Sequence, residues 1–191
     1  MGPALPVEIG AAVAFAAPAG SAQAGARMGD TSWGLGAIDL DVSYRFTPAV
    51  AAVLWGRYAV NAPTLCTTAG DCIASLGRDV ALAARARFFL PQLGPMQPQV
   101  DAGVGFEWWM TKLSDGGATS RRANAGPIAL SLEAAAPFRL GARWTLGPVA
   151  AAQLGVFTSG SLETSAFTAD TSTGHAVHAW LSVGVRSSVR F

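Results

Sequence analysis

Over residues 176–191 apolar and polar side chains alternate almost without a break. Val177, Ala179, Leu181, Val183, Val185, Val189 and Phe191 share one parity, and His178, Ser182, Arg186, Ser188 and Arg190 the other. A period of two is the mark of a β-strand whose faces meet unlike surroundings. Seven earlier segments repeat it between clusters of turn-forming residues, and the pattern predicts strands at 6–17, 32–46, 49–60, 78–90, 99–111, 127–138 and 144–158. Such lengths cross a bilayer when the strands are tilted.

The charges within a segment mostly share a parity. In 32–46, Ile38, Leu40, Val42, Tyr44 and Phe46 oppose Asp39, Asp41, Ser43 and Arg45; in 78–90, Val80, Leu82, Phe88 and Leu90 oppose Asp79, Arg85 and Arg87. In 99–111, Val100, Val104, Phe106, Trp108 and Met110 oppose Asp101, Glu107 and Trp109, and in 6–17, Val7, Ile9, Val13 and Phe15 oppose Glu8 and Gly10. Segment 49–60 is apolar on both sides and is read with Leu54, Tyr58 and Val60 opposite Val53, Trp55 and Arg57. In 127–138, Ile128, Leu130, Leu132 and Phe138 are set against Ser131 and Glu133, and 144–158, with Ala150, Ala152, Leu154 and Val156 against Val149, Gln153 and Gly155, carries no charge at all.

A soluble barrel alternates too, with its apolar face turned inward. Charge placement decides between the two. Essentially no charged residue falls on the apolar face, where each would cost about 2 to 4 kcal/mol at a bilayer midplane. The polar face is rich in Gly, Ala and Ser with one or two charges per strand, which suits a narrow interior better than a water-covered exterior. The fold expected is therefore all-β, an eight-stranded antiparallel up-and-down transmembrane barrel spanning 1–191 as one domain. Outward aromatics near the segment ends, Tyr44, Phe46, Phe88 and Phe138 on one side and Phe15, Tyr58, Phe106 and Trp108 on the other, would form the two interfacial girdles.

Composition agrees: only 13% of residues are charged, against about a quarter in soluble domains. A net charge of +1 gives no electrostatic case for nucleic acid. No run of about 18 strongly apolar residues suggests a helical span. Residues 10–24 have some character of a signal peptide, with Ser21-Ala22-Gln23-Ala24 as a small-residue cleavage site, yet the leading segment holds Glu8 and no base. Removing it would leave seven strands, an odd number for a bacterial barrel, so it is read as the first strand.

Connections alternate in length. Thr47-Pro48, 91–98 and 139–143 are short; the other four run about 14 to 18 residues, including 158–174, and are rich in Ser, Thr, Gly and Asp. Short turns at one end and long loops at the other place both termini on the periplasmic side of an outer membrane. Cys66 and Cys72 flank a polar loop and are expected to form a disulfide in an oxidising compartment, with two free thiols as the other reading.

The inward set holds Glu8, Asp39, Asp41, Asp79, Asp101, Glu107 and Glu133 with Arg45, Arg57, Arg85, Arg87, Arg186 and Arg190, nearly balanced in sign. Side chains fill a lumen of eight strands, so these groups are expected to pair with one another, because a buried charge left alone is costly. Arginine favours such pairing through its planar fork. His175 and His178 lie near Ser182 and Ser187, but no nucleophile elbow, metal-ligand cluster or phosphate loop accompanies them. Neither a metal nor a cofactor is expected, nor is an enzyme. Arg121-Arg122 and 158–174 offer loop surface for a ligand or protein partner.

On these residues the chain resembles the small eight-stranded outer-membrane proteins, the OmpA/OmpX-type barrels. The most specific element is Val183, Val185, Val189 and Phe191, similar to the terminal signal read by the outer-membrane assembly machinery, with Ser187 where a hydrophobic residue is usual. The resemblance implies outer-membrane lipid and that machinery as partners. It leaves open a structural or surface-interaction role with a closed lumen, a narrow channel or transporter for small solutes, and a lipid-modifying enzyme.

Overall fold

The computed structural model describes residues 7–23, 26–28, 35–61, 64–66, 72–115, 118–164, 168–170 and 176–191. Its strands are β1 (Val7–Gln23), β2 (Ala26–Arg27), β3 (Leu35–Arg45), β4 (Val50–Asn61), β5 (Thr64–Cys66), β6 (Cys72–Phe89), β7 (Gln99–Asp115), β8 (Ala118–Ala135), β9 (Phe138–Arg139), β10 (Trp144–Phe157), β11 (Ser159–Thr164), β12 (Thr168–Asp170) and β13 (Ala176–Arg190). Each long strand pairs antiparallel with the next in the order β1, β3, β4, β6, β7, β8, β10, β13, and β13 pairs back with β1. This closes an eight-stranded barrel with no free edge.

The register fixes its geometry. Followed round the ring from Glu8, the ladder passes Ser43, Val53, Arg85, Gly103, Ser131, Gln153 and Trp180 and meets β1 again at Pro18, ten residues along. A stagger of ten over eight strands tilts them by about 40°, given a rise of about 3.3 Å and a strand separation of about 4.8 Å. Residues that share the lumen at one height therefore come from well-separated heights in the ladder.

The alternation read from the sequence holds around most of the ring. Ile9, Val13, Phe15, Leu40, Leu54, Leu82, Val104, Leu181 and Val183 face outward, and Glu8, Asp39, Asp41, Arg57, Arg85, Arg87, Asp101 and Glu133 are buried inside. It fails at Ile128. Expected outward, Ile128 is 1% exposed within the barrel, while Leu130 is 42% exposed outside. A β-bulge is the reason: Gly155 and Leu154 pair with Ile128 and Leu130, so Ala129 is an extra residue and the parity of β8 inverts there. The inversion places Ile128 against Trp55, Val53, Ala81 and Ala83 in the middle of the lumen.

The loops differ as well. The connection expected to be long between the fifth and sixth segments is a continued hairpin, with β7 and β8 paired as far as Asp115 and Ala118. Likewise β11 carries the line of β10 onward along β8, with β12 beside it. Polar residues continue the strands because the ladder satisfies their backbone groups beyond the apolar band. Cys66 and Cys72 are register partners at the tip of the β5–β6 hairpin. At the other end the connections are tight. Thr47 Oγ1 accepts hydrogen bonds from Ala49 N and Val50 N at 3.2 and 3.0 Å. Gly94, with φ +60°, turns the chain between Leu93 and Met96, and Arg139 N donates to Pro95 O, tying this turn to the next.

Candidate functional site

The lumen is built as layers of charge separated by aromatic rings. Nearest the short turns, Arg190 Nη2 lies 3.3 Å from Glu8 Oε2. Arg45, expected within the ion-paired set, instead lays its guanidinium 3.5 Å from the centre of the Phe89 ring. It stands at the end of β3 and reaches past β4 to that aromatic on β6, a cation over a ring face.

Above it lies the densest cluster. Arg87 and Asp101 are direct cross-strand partners on β6 and β7, and the Arg87 fork donates to both Asp101 oxygens, Nε to Oδ1 at 2.9 Å and Nη2 to Oδ2 at 2.8 Å. The same guanidinium reaches Asp41 Oδ1 at 3.2 Å and Glu8 Oε1 at 3.4 Å. Arg186 completes it with a second fork, Nε to Asp41 Oδ2 at 2.9 Å and Nη2 to Asp41 Oδ1 at 2.6 Å. Arg186 stands on β13 and Asp41 on β3, with β1 between them. Gly10 makes the crossing feasible, since a Cβ there would stand 2.6 Å from Arg186 Nη2.

The next layer pairs Arg85 Nη1 with Glu133 Oε2 at 2.7 Å. The Trp55 ring sits between Arg85 and Arg57, whose guanidinium carbons lie 3.9 and 5.1 Å from its centre. Arg57 in turn forks onto Asp39, its cross-strand partner, at 2.7 and 2.8 Å, and donates to Ser182 Oγ at 3.1 Å.

Towards the long strands the filling becomes aromatic. Glu107 pairs with Nε2 of His178, and the His178 imidazole stacks on Phe157 with centres 3.9 Å apart. Phe157 stacks in turn on Trp109. Trp180, Met28, Ala16, Ala37 and Ala59 close this end as an apolar cluster. Asp79, also buried, faces Trp109 across the ladder. Of the residues weighed for catalysis, His178 is held by Glu107 and Ser182 by Arg57; His175 lies outside the described residues. No cluster of three or more metal-ligating side chains occurs among the described residues.

Outside, Phe15, Tyr44, Phe46, Tyr58, Phe88, Phe106, Trp108 and Phe138 are all exposed. Trp144, which the alternation of its segment did not single out, joins the turn-side set at 57% exposure. Along β7 the row of Phe88 and Val100 stands eight residues from the row of Tyr58, Val80 and Trp108. At the tilt above, that spans about 20 Å along the barrel axis, close to the apolar band of an outer-membrane barrel. Val183, Val185 and Phe191 face outward on β13.

Solved structures share this architecture. Neisserial surface protein A matches with a TM-score of 0.59 and 14% identity over 99% of each chain. OprG from Pseudomonas aeruginosa matches with a TM-score of 0.62 and 11% identity over 98% of this chain and 97% of that one. Ail, the attachment invasion locus protein of Yersinia pestis, matches with a TM-score of 0.58 and 10% identity over 97% of each chain. The fold is that of the small eight-stranded outer-membrane barrels. No protein-family model and no curated protein matches the sequence.

Proposed function

We propose that this chain is an integral outer-membrane barrel with a sealed lumen, serving as a structural and surface-interaction protein. One observation carries the reading: Arg87, 1% exposed, touches Asp101, Asp41 and Glu8 at once, so the barrel axis is occupied by a cross-linked plug of side chains. The layers above it, with Arg85 over the Trp55 ring and His178 stacked on Phe157, support the same reading. A solute would have to separate buried ion pairs, each a cost of several kcal/mol.

The same reading puts both termini in the periplasm, with the short turns, and sends the β6, β7, β8 and β11 extensions outward to meet a surface ligand or protein. The outward Val183, Val185, Val189 and Phe191 would serve the assembly machinery, and Cys66 and Cys72 would be joined at the hairpin tip. Reconstitution into planar bilayers tests the lumen. The wild type should insert without steady conductance; reproducible openings that change when Arg87 or Arg85 is replaced would overturn the plug in favour of a channel.

A further inference from the structure

Beyond the lumen, Arg78, Lys112 and Arg121 gather on one arc of the outer surface at the long-strand end, while Arg139 and Arg143 lie exposed at the turn end. A groove of about 440 Å³ lies against the extensions of β6, β7, β8 and β11, lined by Arg78, Lys112, Arg121 and Arg122 with a single acid, Glu163. Lys112 is the sole lysine of the sequence.

The register shows how these residues stand to the apolar band. Leu76, Lys112, Arg121 and Glu163 form one cross-strand row, and Arg78, Met110, Ala123 and Ser161 the next. The row below is Val80, Trp108 and Ala125. All three rows have the outward parity of Leu82 and Phe106, and successive rows are about 7 Å apart along a strand. Arg78, Lys112 and Arg121 therefore stand one and two rows beyond Trp108, on the face that continues the lipid-facing wall. Followed the other way, the Arg78 row runs to Val60, Gly36 and Phe15, which carry no charge. Among the residues whose side chains are described, the cations of this end are thus concentrated over part of the circumference.

We propose that this groove binds the phosphorylated headgroup of an outer-leaflet lipid. Arg78, Lys112 and Arg121 would engage the phosphate, and Leu76, Met110 and Trp108 the start of the acyl region. Arginine forks suit phosphate oxygens, and lysine adds a mobile point charge. An indole at headgroup depth marks the interface where those phosphates lie. The inference rests on the outer-membrane reading of the barrel. A soluble polyanion would satisfy the charges equally but would gain nothing from their alignment with the apolar wall, and this favours a lipid.

The test uses the full chain and its R78A/K112A/R121A variant, inserted into phosphatidylcholine nanodiscs containing a minor fraction of lipopolysaccharide or of phosphatidylglycerol. Folding and insertion are checked first by heat-modifiable electrophoretic mobility. Lipid that stays bound after detergent extraction is then quantified by mass spectrometry. The wild type should retain phosphorylated lipid several-fold over phosphatidylcholine, each single substitution should lower that preference about two- to fivefold, and the triple variant should abolish it. An R139A/R143A control, altered at the opposite end, should retain it. Millimolar inorganic phosphate should not displace the lipid.

Equal retention by inserted wild type and inserted triple variant would overturn the proposal and leave the barrel reading intact. Failure of the wild type to insert would instead refute the reading beneath it. Displacement by free phosphate, or equally tight binding of heparin by detergent-solubilised protein that the triple variant loses, would overturn the lipid assignment. Preference for lipopolysaccharide over phosphatidylglycerol, or the reverse, names the source of the phosphate.

Discussion

Arg186 on β13 reaches across β1 to clasp Asp41 on β3 through two hydrogen bonds of 2.9 and 2.6 Å, over the bare backbone of Gly10. The pair joins strands that are not neighbours. It therefore braces the ring where β13 closes onto β1, and three residues on three strands act as one unit.

That unit predicts non-additive mutational effects. Gly10→Val places a branched side chain where the fork runs, and overpacking with displacement of the pair should destabilise the barrel by about 1 to 3 kcal/mol. Arg186→Met should cost at least as much, because Asp41 loses its best-aligned partner. The double variant should cost less than the sum, as read from urea unfolding in lipid vesicles; strict additivity would show that Gly10 plays no part in the pair.

Arg87 holds three carboxylates. Replacing it with Met leaves Asp101, 1% exposed, without its fork, and a loss of about 3 to 5 kcal/mol is expected, as for breaking buried pairs generally. Arg190→Met, whose contact with Glu8 is longer and partly exposed, should cost under about 1 kcal/mol. Side-by-side thermal unfolding of the two variants checks the order.

The bulge at Ala129 separates Ile128 from Leu130. Leu130→Arg should destabilise insertion by about 2 to 4 kcal/mol, the cost of a cation near the lipid midplane. Ile128→Val should cost about 0.5 to 1.5 kcal/mol through a small cavity beside Trp55. Quenching by brominated lipid of a tryptophan placed at 130, and none at 128, would verify the parity directly.

Cys66 and Cys72 face each other in the ladder at the β5–β6 tip. Protein isolated under non-reducing conditions should show no reactive thiol after denaturation, and reduction should lower stability by about 2 kcal/mol at most, since the loop enclosed is short. Two titratable thiols would show that the hairpin is not cross-linked.

Much of this was readable from the chain alone. The eight-stranded barrel and the identity of most inward and outward residues follow from a period of two, which most of the strands carry locally, 49–60 being apolar on both sides. The Arg87–Asp101 and Arg57–Asp39 pairs were not readable in the same way. Their members were visible as inward charges, but partners depend on register, and no residue records it.

Tertiary structure decided the rest. The ten-residue stagger brings Arg186 to Asp41, the bulge at Ala129 turns Ile128 inward, Phe89 receives Arg45, and the hairpin extensions assemble Arg78, Lys112 and Arg121 on one outer arc. Alternation is a property of one strand and survives in the sequence. Stagger, bulge and groove are properties of the closed ring, where tilt and hydrogen-bond register must be satisfied by all strands together.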